Sequence, residues 1–226
     1  MQGAKILRFP DKRPLSGKKR RTKIQNIDGI KSFTESQVKL LRRTVRDKAD
    51  LDLKKGKLTA VREWLVIDLL TSTGLRVSEA ANVRCGDIKT GYGESAIFVR
   101  CGKGRRSRTV EIPNSLKTHL KAFLAWKEKR GEPTGPDDHL LIGQRGPMTA
   151  QAIEQIVKKY LKQLGLYEPG KSAHALRHSY AVHLYRKRRD LRAVQKQLGH
   201  ASVQTTQIYA DITREDLQEQ VKNLWR

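Results

Sequence analysis

Apolar residues recur at helical spacing along most of this chain, and the places where the pattern breaks are equally informative. After Thr34, a residue type suited to accept from the first unpaired amides of a helix, Val38, Leu40, Leu41 and Val45 follow at the spacing of an amphipathic helix. Between Thr59 and Ser72 the residues Val61, Trp64, Leu65, Ile67, Leu69 and Leu70 leave no clear polar face, which predicts a central helix buried nearly all round. Gly74 stops that helix, and Ser78, Glu79, Ala80 and Ala81 open another, so Arg76 falls on the short turn between them. Residues 96–99 and 109–112 are β-branched runs flanking Cys101-Gly102-Lys103-Gly104-Arg105-Arg106, a pattern that predicts a hairpin with a glycine-rich, basic tip. Further helices are predicted at about 114–130, 149–165, 175–188 and 190–198, with Pro133, Gly135 and Pro136 in the loop between the first two. A closing helix at about 214–225 carries an apolar stripe of Leu217, Val221, Leu224 and Trp225. The fold class is therefore α+β, mainly α-helical, with a small antiparallel hairpin or sheet.

With 226 residues and 37% hydrophobic content, the chain is long enough for one ordinary core. Charge changes the picture. Lysine and arginine number 47 against 23 acidic residues, and the net charge of +24 selects a polyanionic partner, nucleic acid being the commonest; a merely solvated basic surface is what charge alone leaves open. Residues 1–32 hold Lys18-Lys19-Arg20-Arg21, Pro10, Pro14 and several glycines without helical or strand period. They read as a flexible basic arm able to lie along DNA phosphates, ahead of a domain over 33–226. No apolar run approaches the roughly 18 residues of a membrane span, and the N-terminus is charged where a signal peptide is apolar. The expectation is a cytoplasmic protein, nucleoid-associated if prokaryotic, with no membrane partner. Cys85 and Cys101 lack zinc-site spacing and read as small packing residues.

The chemistry lies in a few short motifs: Thr73-Gly74-Leu75-Arg76-Val77-Ser78-Glu79, Gly102-Lys103-Gly104, His174-Ala175-Leu176-Arg177-His178, Leu198-Gly199-His200, and Tyr209 after Thr205-Thr206-Gln207-Ile208. Attack on a phosphodiester builds negative charge on the nonbridging oxygens, and a guanidinium presents a planar fork of donors whose charge does not depend on pH. Arg76 and Arg177, distant in sequence, suit two forks converging on one phosphate. Histidines that change charge near neutrality suit proton transfer. A free phenol has a pKa near ~10, so a tyrosine nucleophile needs converging positive charge and a base.

On these motifs, in this order from about Phe33 to the C-terminus, the chain resembles the tyrosine recombinases, the phage integrase family. The resemblance implies an integrase-like catalytic domain that cleaves and rejoins DNA through a 3′-phosphotyrosyl intermediate, for integration, excision, inversion or resolution. It implies Tyr209 as nucleophile, Arg76 and Arg177 as the phosphate clamp, His174 as base, and His200 as donor to a nonbridging oxygen. Lys103 would supply the proton to the departing 5′ oxygen, and Glu79 would orient Arg76 or another active-site group. Arg105, Arg106 and Arg108 are expected to grip phosphates, as are Lys18, Lys19, Arg20 and Arg21. His119, His139, His178 and His183 stay outside the catalytic set. Bond energy is kept in the phosphotyrosine, so neither metal nor cofactor is implied.

Family members usually carry a separate helical domain ahead of the catalytic one, the two clamping the duplex. In this sequence only the basic arm stands there, which resembles the short members; either the arm and the catalytic face suffice, or another protein completes the clamp, or the sequence is an excised domain. The implied partners are double-stranded DNA, further copies of the chain in a tetrameric synapse with the terminal helix docked in trans, and an accessory DNA-bending protein. A type IB topoisomerase-like relaxation of one duplex is the enzymatic alternative, which the wording around Gly199-His200 and Thr205-Thr206 disfavours. The other is a non-catalytic DNA-binding protein on the same fold, disfavoured by the presence of Tyr209 and both arginines.

Overall fold

A computed structural model describes residues 31–100, 107–200, 206 and 221–222. In chain order the elements are α1 (Glu35–Lys54), α2 (Thr59–Thr73), α3 (Val77–Ala81), a 3-10 turn (Cys85–Asp87), β1 (Ile88–Lys89), β2 (Ala96–Val99), β3 (Arg108–Glu111), α4 (Asn114–Lys129), β4 (Ile142–Gly143), β5 (Gly146–Pro147), α5 (Ala150–Gln163), α6 (Ala173–Arg188) and α7 (Leu191–Leu198). The architecture is mainly helical with small antiparallel sheets, the class expected from the apolar pattern.

Thr34 opens α1 with a reciprocal cap: its Oγ1 accepts from the Gln37 amide at 3.2 Å, and Gln37 Oε1 accepts from the Thr34 amide at 3.0 Å. α2 is the central element, packed against α1, α3, α4, α5 and α6, with Leu65, Ile67, Leu69 and Leu70 buried. So enclosed a helix must pair its polar residues, because an unpaired charge in the interior is costly. Glu63 takes Lys159 Nζ at 2.7 Å and the Tyr160 hydroxyl at 2.6 Å; Asp68 takes His119 Nδ1 at 2.7 Å and Arg42. His119 is thereby a partner of the core, stacked on Trp64.

β1, β2 and β3 form one antiparallel sheet in that order, with Val99 opposite Arg108 and Ala96 opposite Glu111. The second hairpin strand starts at Arg108, one residue before the predicted run. Neither β1 nor the β4–β5 ribbon is in the sequence reading, since two-residue strands are too short to show alternation. α6 and α7 close a smaller apolar cluster of Ala181, Tyr185, Val194 and Leu198. Of the predicted C-terminal stripe only Val221 is described; it is helical and 57% exposed. Leu217, Leu224 and Trp225 lie outside the described residues, as do residues 1–30 of the arm. Among the described residues no helix is long and apolar enough to cross a membrane.

Candidate active site

Gly74 ends α2 in the left-handed conformation, φ +63°, where a Cβ would come within 2.4 Å of the Tyr180 ring. The turn it permits sets Arg76 at the start of α3. There the Arg76 amide donates to Glu79 Oε2 at 2.8 Å and Arg76 Nη1 to Oε1 at 2.9 Å. Arg108, from β3, clamps the same carboxylate with Nη1 and Nη2, each at 2.9 Å. Arg177 rises from the buried face of α6, only 3% exposed. Its Nη1 donates to the Gly74 carbonyl at 2.6 Å and its Nη2 to the Leu198 carbonyl at 2.8 Å, so it ties the ends of α2 and α7 together. Nη1 of Arg177 also lies 3.8 Å from Glu79 Oε2. Three guanidinium groups from three elements thus surround one carboxylate, and the surplus positive charge makes the cluster an anion site.

Burial alone would push the Glu79 carboxyl up, but the hydrogen bonds and charges of Arg108 and Arg76 overcome it and hold the pKa at about 2. The histidines move down. Partial burial of a ring that stays largely exposed, then the charges of Arg177 and Arg76, lower His174; burial, then Arg177, Arg76, His178 and Arg108, bring His200 to about 4. His178, in edge contact with His174 at 4.4 Å between ring centres, is also brought to about 4, by burial and then by His174 and Arg177. At neutral pH these imidazoles are therefore uncharged, as a proton acceptor or a neutral donor must be.

His200 follows the left-handed Gly199 that ends α7, and its carbonyl accepts from Gln195 Nε2 at 3.2 Å. Its Nδ1 lies 3.0 Å from Oγ1 of the buried Thr206; with that hydroxyl donating, the ring proton sits on Nε2. Beside the cluster a cleft of about 370 Å³ is bounded by Arg76, Ser78, His174 and Arg177, with Glu154 of α5 in the opposite wall. The arrangement can hold a phosphate-sized anion on guanidinium donors and exchange protons with it through neutral imidazoles.

Residues 31–216 match the phage integrase family. The chain belongs to that family. Tyrosine recombinase XerA of Pyrococcus furiosus is 34% identical over 197 residues, 85% of this chain and 61% of that relative. Tyrosine recombinase XerD of Halalkalibacterium halodurans is 35% identical over 157 residues, covering 69% and 51%. Among solved structures, a XerA recombinase superposes with a TM-score of 0.66 at 29% identity, over 86% of this chain and 64% of that one. XerH site-specific recombinase, in a pre-cleavage complex with its difH substrate, does so with 0.66 at 27% identity, over 87% and 53%. The chain thus spans between about half and three-fifths of the curated relatives named.

Of the residues that the phage integrase resemblance singled out, the fold gathers Arg76, Glu79, His174, Arg177 and His200. Lys103, Arg105, Arg106 and Tyr209, with Lys18, Lys19, Arg20 and Arg21, lie outside the described residues. Arg108 departs from the expectation of an outward phosphate grip: its side chain is 12% exposed and both terminal nitrogens are committed to Glu79. The signal was present, because Arg108 and the buried Val110 are two apart in a strand and so share its inner face. Two further residues of the site were given no role. Thr206, quoted within the motif before Tyr209, faces His200; Gln197, which lies in no motif, touches β3 and α6.

Proposed function

We propose that the chain is a tyrosine recombinase that cuts and rejoins double-stranded DNA at specific sites. The observation carrying this reading is the convergence of Arg76 and Arg177 around Glu79, with neutral His174 and His200 beside them. The guanidinium groups bind the nonbridging oxygens of the scissile phosphate, and His200 adds a donor to one of them. Tyr209 Oη forms a bond to phosphorus as the bond to the 5′ oxygen breaks. His174 takes the phenolic proton, and Lys103 supplies one to the departing oxygen. A 5′-hydroxyl from a partner strand reverses the step, so the exchange balances as written without a metal or cofactor. The XerH complexes with difH before and after cleavage support this reading from a relative of the same fold.

Around this core, residues 1–32 serve as a basic arm along the DNA backbone, binding through counterion release, with Lys18, Lys19, Arg20, Arg21, Arg105 and Arg106 on phosphates. Residues 33–226 form the catalytic domain. On DNA four copies assemble by passing the C-terminal helix to a neighbour, an accessory bending protein helping to shape the sites, in the cytoplasm and on the nucleoid where there is one. The exposed Val221 supports docking in trans. A groove of about 920 Å³ beside α1 and α6 has an apolar floor of Phe33, Val38 and Leu176; on its rim Lys39 is paired with Glu35 and Arg42 with Asp68, and Arg186 and Lys187 add positive charge. Those last two suit a helix carrying Glu215, Asp216 and Glu219.

The reading is tested on a nicked suicide duplex whose lost 5′ fragment traps any covalent adduct. Wild type should accumulate a protein–DNA adduct, while Tyr209→Phe should form none and bind the duplex with nearly unchanged affinity. An adduct formed by Tyr209→Phe would assign the nucleophile elsewhere.

A further inference from the structure

Gln197 stands on α7 two residues before Gly199, and its side chain reaches two other elements. Nε2 donates to the Glu111 carbonyl at 2.7 Å and to the Tyr180 hydroxyl at 2.9 Å, and Oε1 accepts from the Glu111 amide at 3.2 Å. Its own carbonyl accepts from Arg108 Nε at 3.3 Å. β3 is an edge strand, and the amide of Ile112 turns inward to the Ser95 carbonyl. Glu111, its neighbour, therefore turns both backbone groups outward, and the Gln197 amide satisfies the pair as a single-residue fourth strand. Glu111 is exposed, so water can serve those groups equally well. What the glutamine adds is register: it pins β3 to α7 where Arg108, three residues before Glu111, reaches Glu79.

We propose that Gln197 is a positioning residue for the phosphate-binding cluster. It locks β3 against the helix that ends in His200, so that Arg108 holds Glu79 and Glu79 holds Arg76 in a fixed relation to that histidine. This rests on the recombinase reading above and adds to it a residue that touches no reacting atom.

The test is a four-member cycle of single-turnover cleavage on the suicide duplex: wild type, Gln197→Leu, Arg108→Ala and the double variant, with duplex affinity and melting temperature measured on each. Gln197→Leu keeps the volume and removes the three side-chain bonds. Its cleavage rate should fall about tenfold with affinity within about twofold, and the double variant should be no slower than Arg108→Ala alone, because a residue acting through another adds nothing once that other is gone. Rate losses that multiply in the double variant overturn the proposal. Should Gln197→Leu fail to fold, Gln197→Glu decides. Protonated, that carboxyl keeps one donor for the Glu111 carbonyl and one acceptor for the Glu111 amide, losing only the donation to Tyr180; ionised, it has no donor at all. Arg108 and Glu111 face it from β3, Tyr180 from α6, and Lys196 adjoins it on α7. Its rate relative to wild type should rise as pH is lowered, and a flat ratio overturns the proposal. A wild-type protein that forms no adduct overturns the recombinase reading and this proposal with it, whereas an active wild type with an additive cycle overturns this proposal alone.

Discussion

Glu79 and Arg108 meet through two parallel hydrogen bonds of 2.9 Å, Nη1 to Oε1 and Nη2 to Oε2, across 29 residues of sequence. A two-point pair fixes the plane of both groups as well as their separation. With its pKa held at about 2, Glu79 stays ionised at any ordinary pH and so cannot serve as a proton donor to the leaving oxygen. Its part is electrostatic: one negative charge lets three guanidinium groups sit close together while a net positive field remains for a phosphate.

Replacing Glu79 by glutamine tests that role. Arg108, 12% exposed, would lose its counter-charge, and breaking a buried pair from one side costs about 3 kcal/mol or more. Thermal denaturation of Glu79→Gln should show that loss, and suicide-duplex cleavage should slow by about 10² or more. The pH dependence has a definite sign. The carboxyl is lowered from 4.5 to about 2 on folding, so its contribution, about 3 kcal/mol, is fully present above pH 4.5 and is lost as pH falls from there towards 2. Glu79→Gln should lack this component of the acid transition.

Gly199 makes the contact between α7 and Arg108 possible. At φ +65° a side chain is strained, and a Cβ would sit 2.6 Å from Arg108 Cδ and 2.7 Å from its Nε. Gly199→Ala should therefore cost about 1 kcal/mol in stability and push Arg108 off Glu79, slowing cleavage more than that stability loss explains. Melting temperature and single-turnover rate, measured on the same preparation, separate the two effects.

The half-buried histidines set a second pH window, lying mostly above that of Glu79. His178 and His200 are each lowered from 6.5 to about 4 on folding. The unfolded chain binds protons there that the folded one does not, so stability is complete above pH 6.5 and is lost as pH falls from 6.5 to about 4. The size of the effect is reduced by solvent screening, since neither ring is fully buried. The melting temperature of the free protein should decline through this window, and His178→Asn should flatten the decline. A bound duplex should also flatten it, since a phosphate beside His200 favours the charged ring.

Much of this site was legible because its chemistry is written in short, local strings. The turn that carries Arg76 is announced by Gly74, the cap of α1 by Thr34, and the burial of α2 by a run without a polar face. What escaped depends on contacts across the chain. Arg108 looks like one more basic residue of a hairpin until the face of β3 is fixed by the buried Val110. Gln197 has no signature at all: its meaning comes from the free edge of a strand 86 residues away. The buried Glu63 and Asp68 of α2 likewise take their meaning from residues far along the chain, Lys159 and Tyr160 of α5 and His119 of α4, which pair them.

The C-terminal segment gives the last prediction. A short helix has little stability alone, so the stripe of Leu217, Val221, Leu224 and Trp225 must dock its apolar face somewhere. Docking within the same chain would make the helix part of the core, whereas docking on a neighbouring copy would cover Val221, the one described member of the stripe and 57% exposed, only when copies meet on DNA. Truncation after Ile212 should then leave the melting temperature of the free protein almost unchanged, and binding to a single site intact, while abolishing the two-site complex on DNA. Analytical ultracentrifugation with one-site and two-site duplexes, beside thermal denaturation, reads all three. A fall of many degrees in melting temperature would place the helix in its own core, and a truncated protein that still assembled and recombined would show that no exchange of helices is needed.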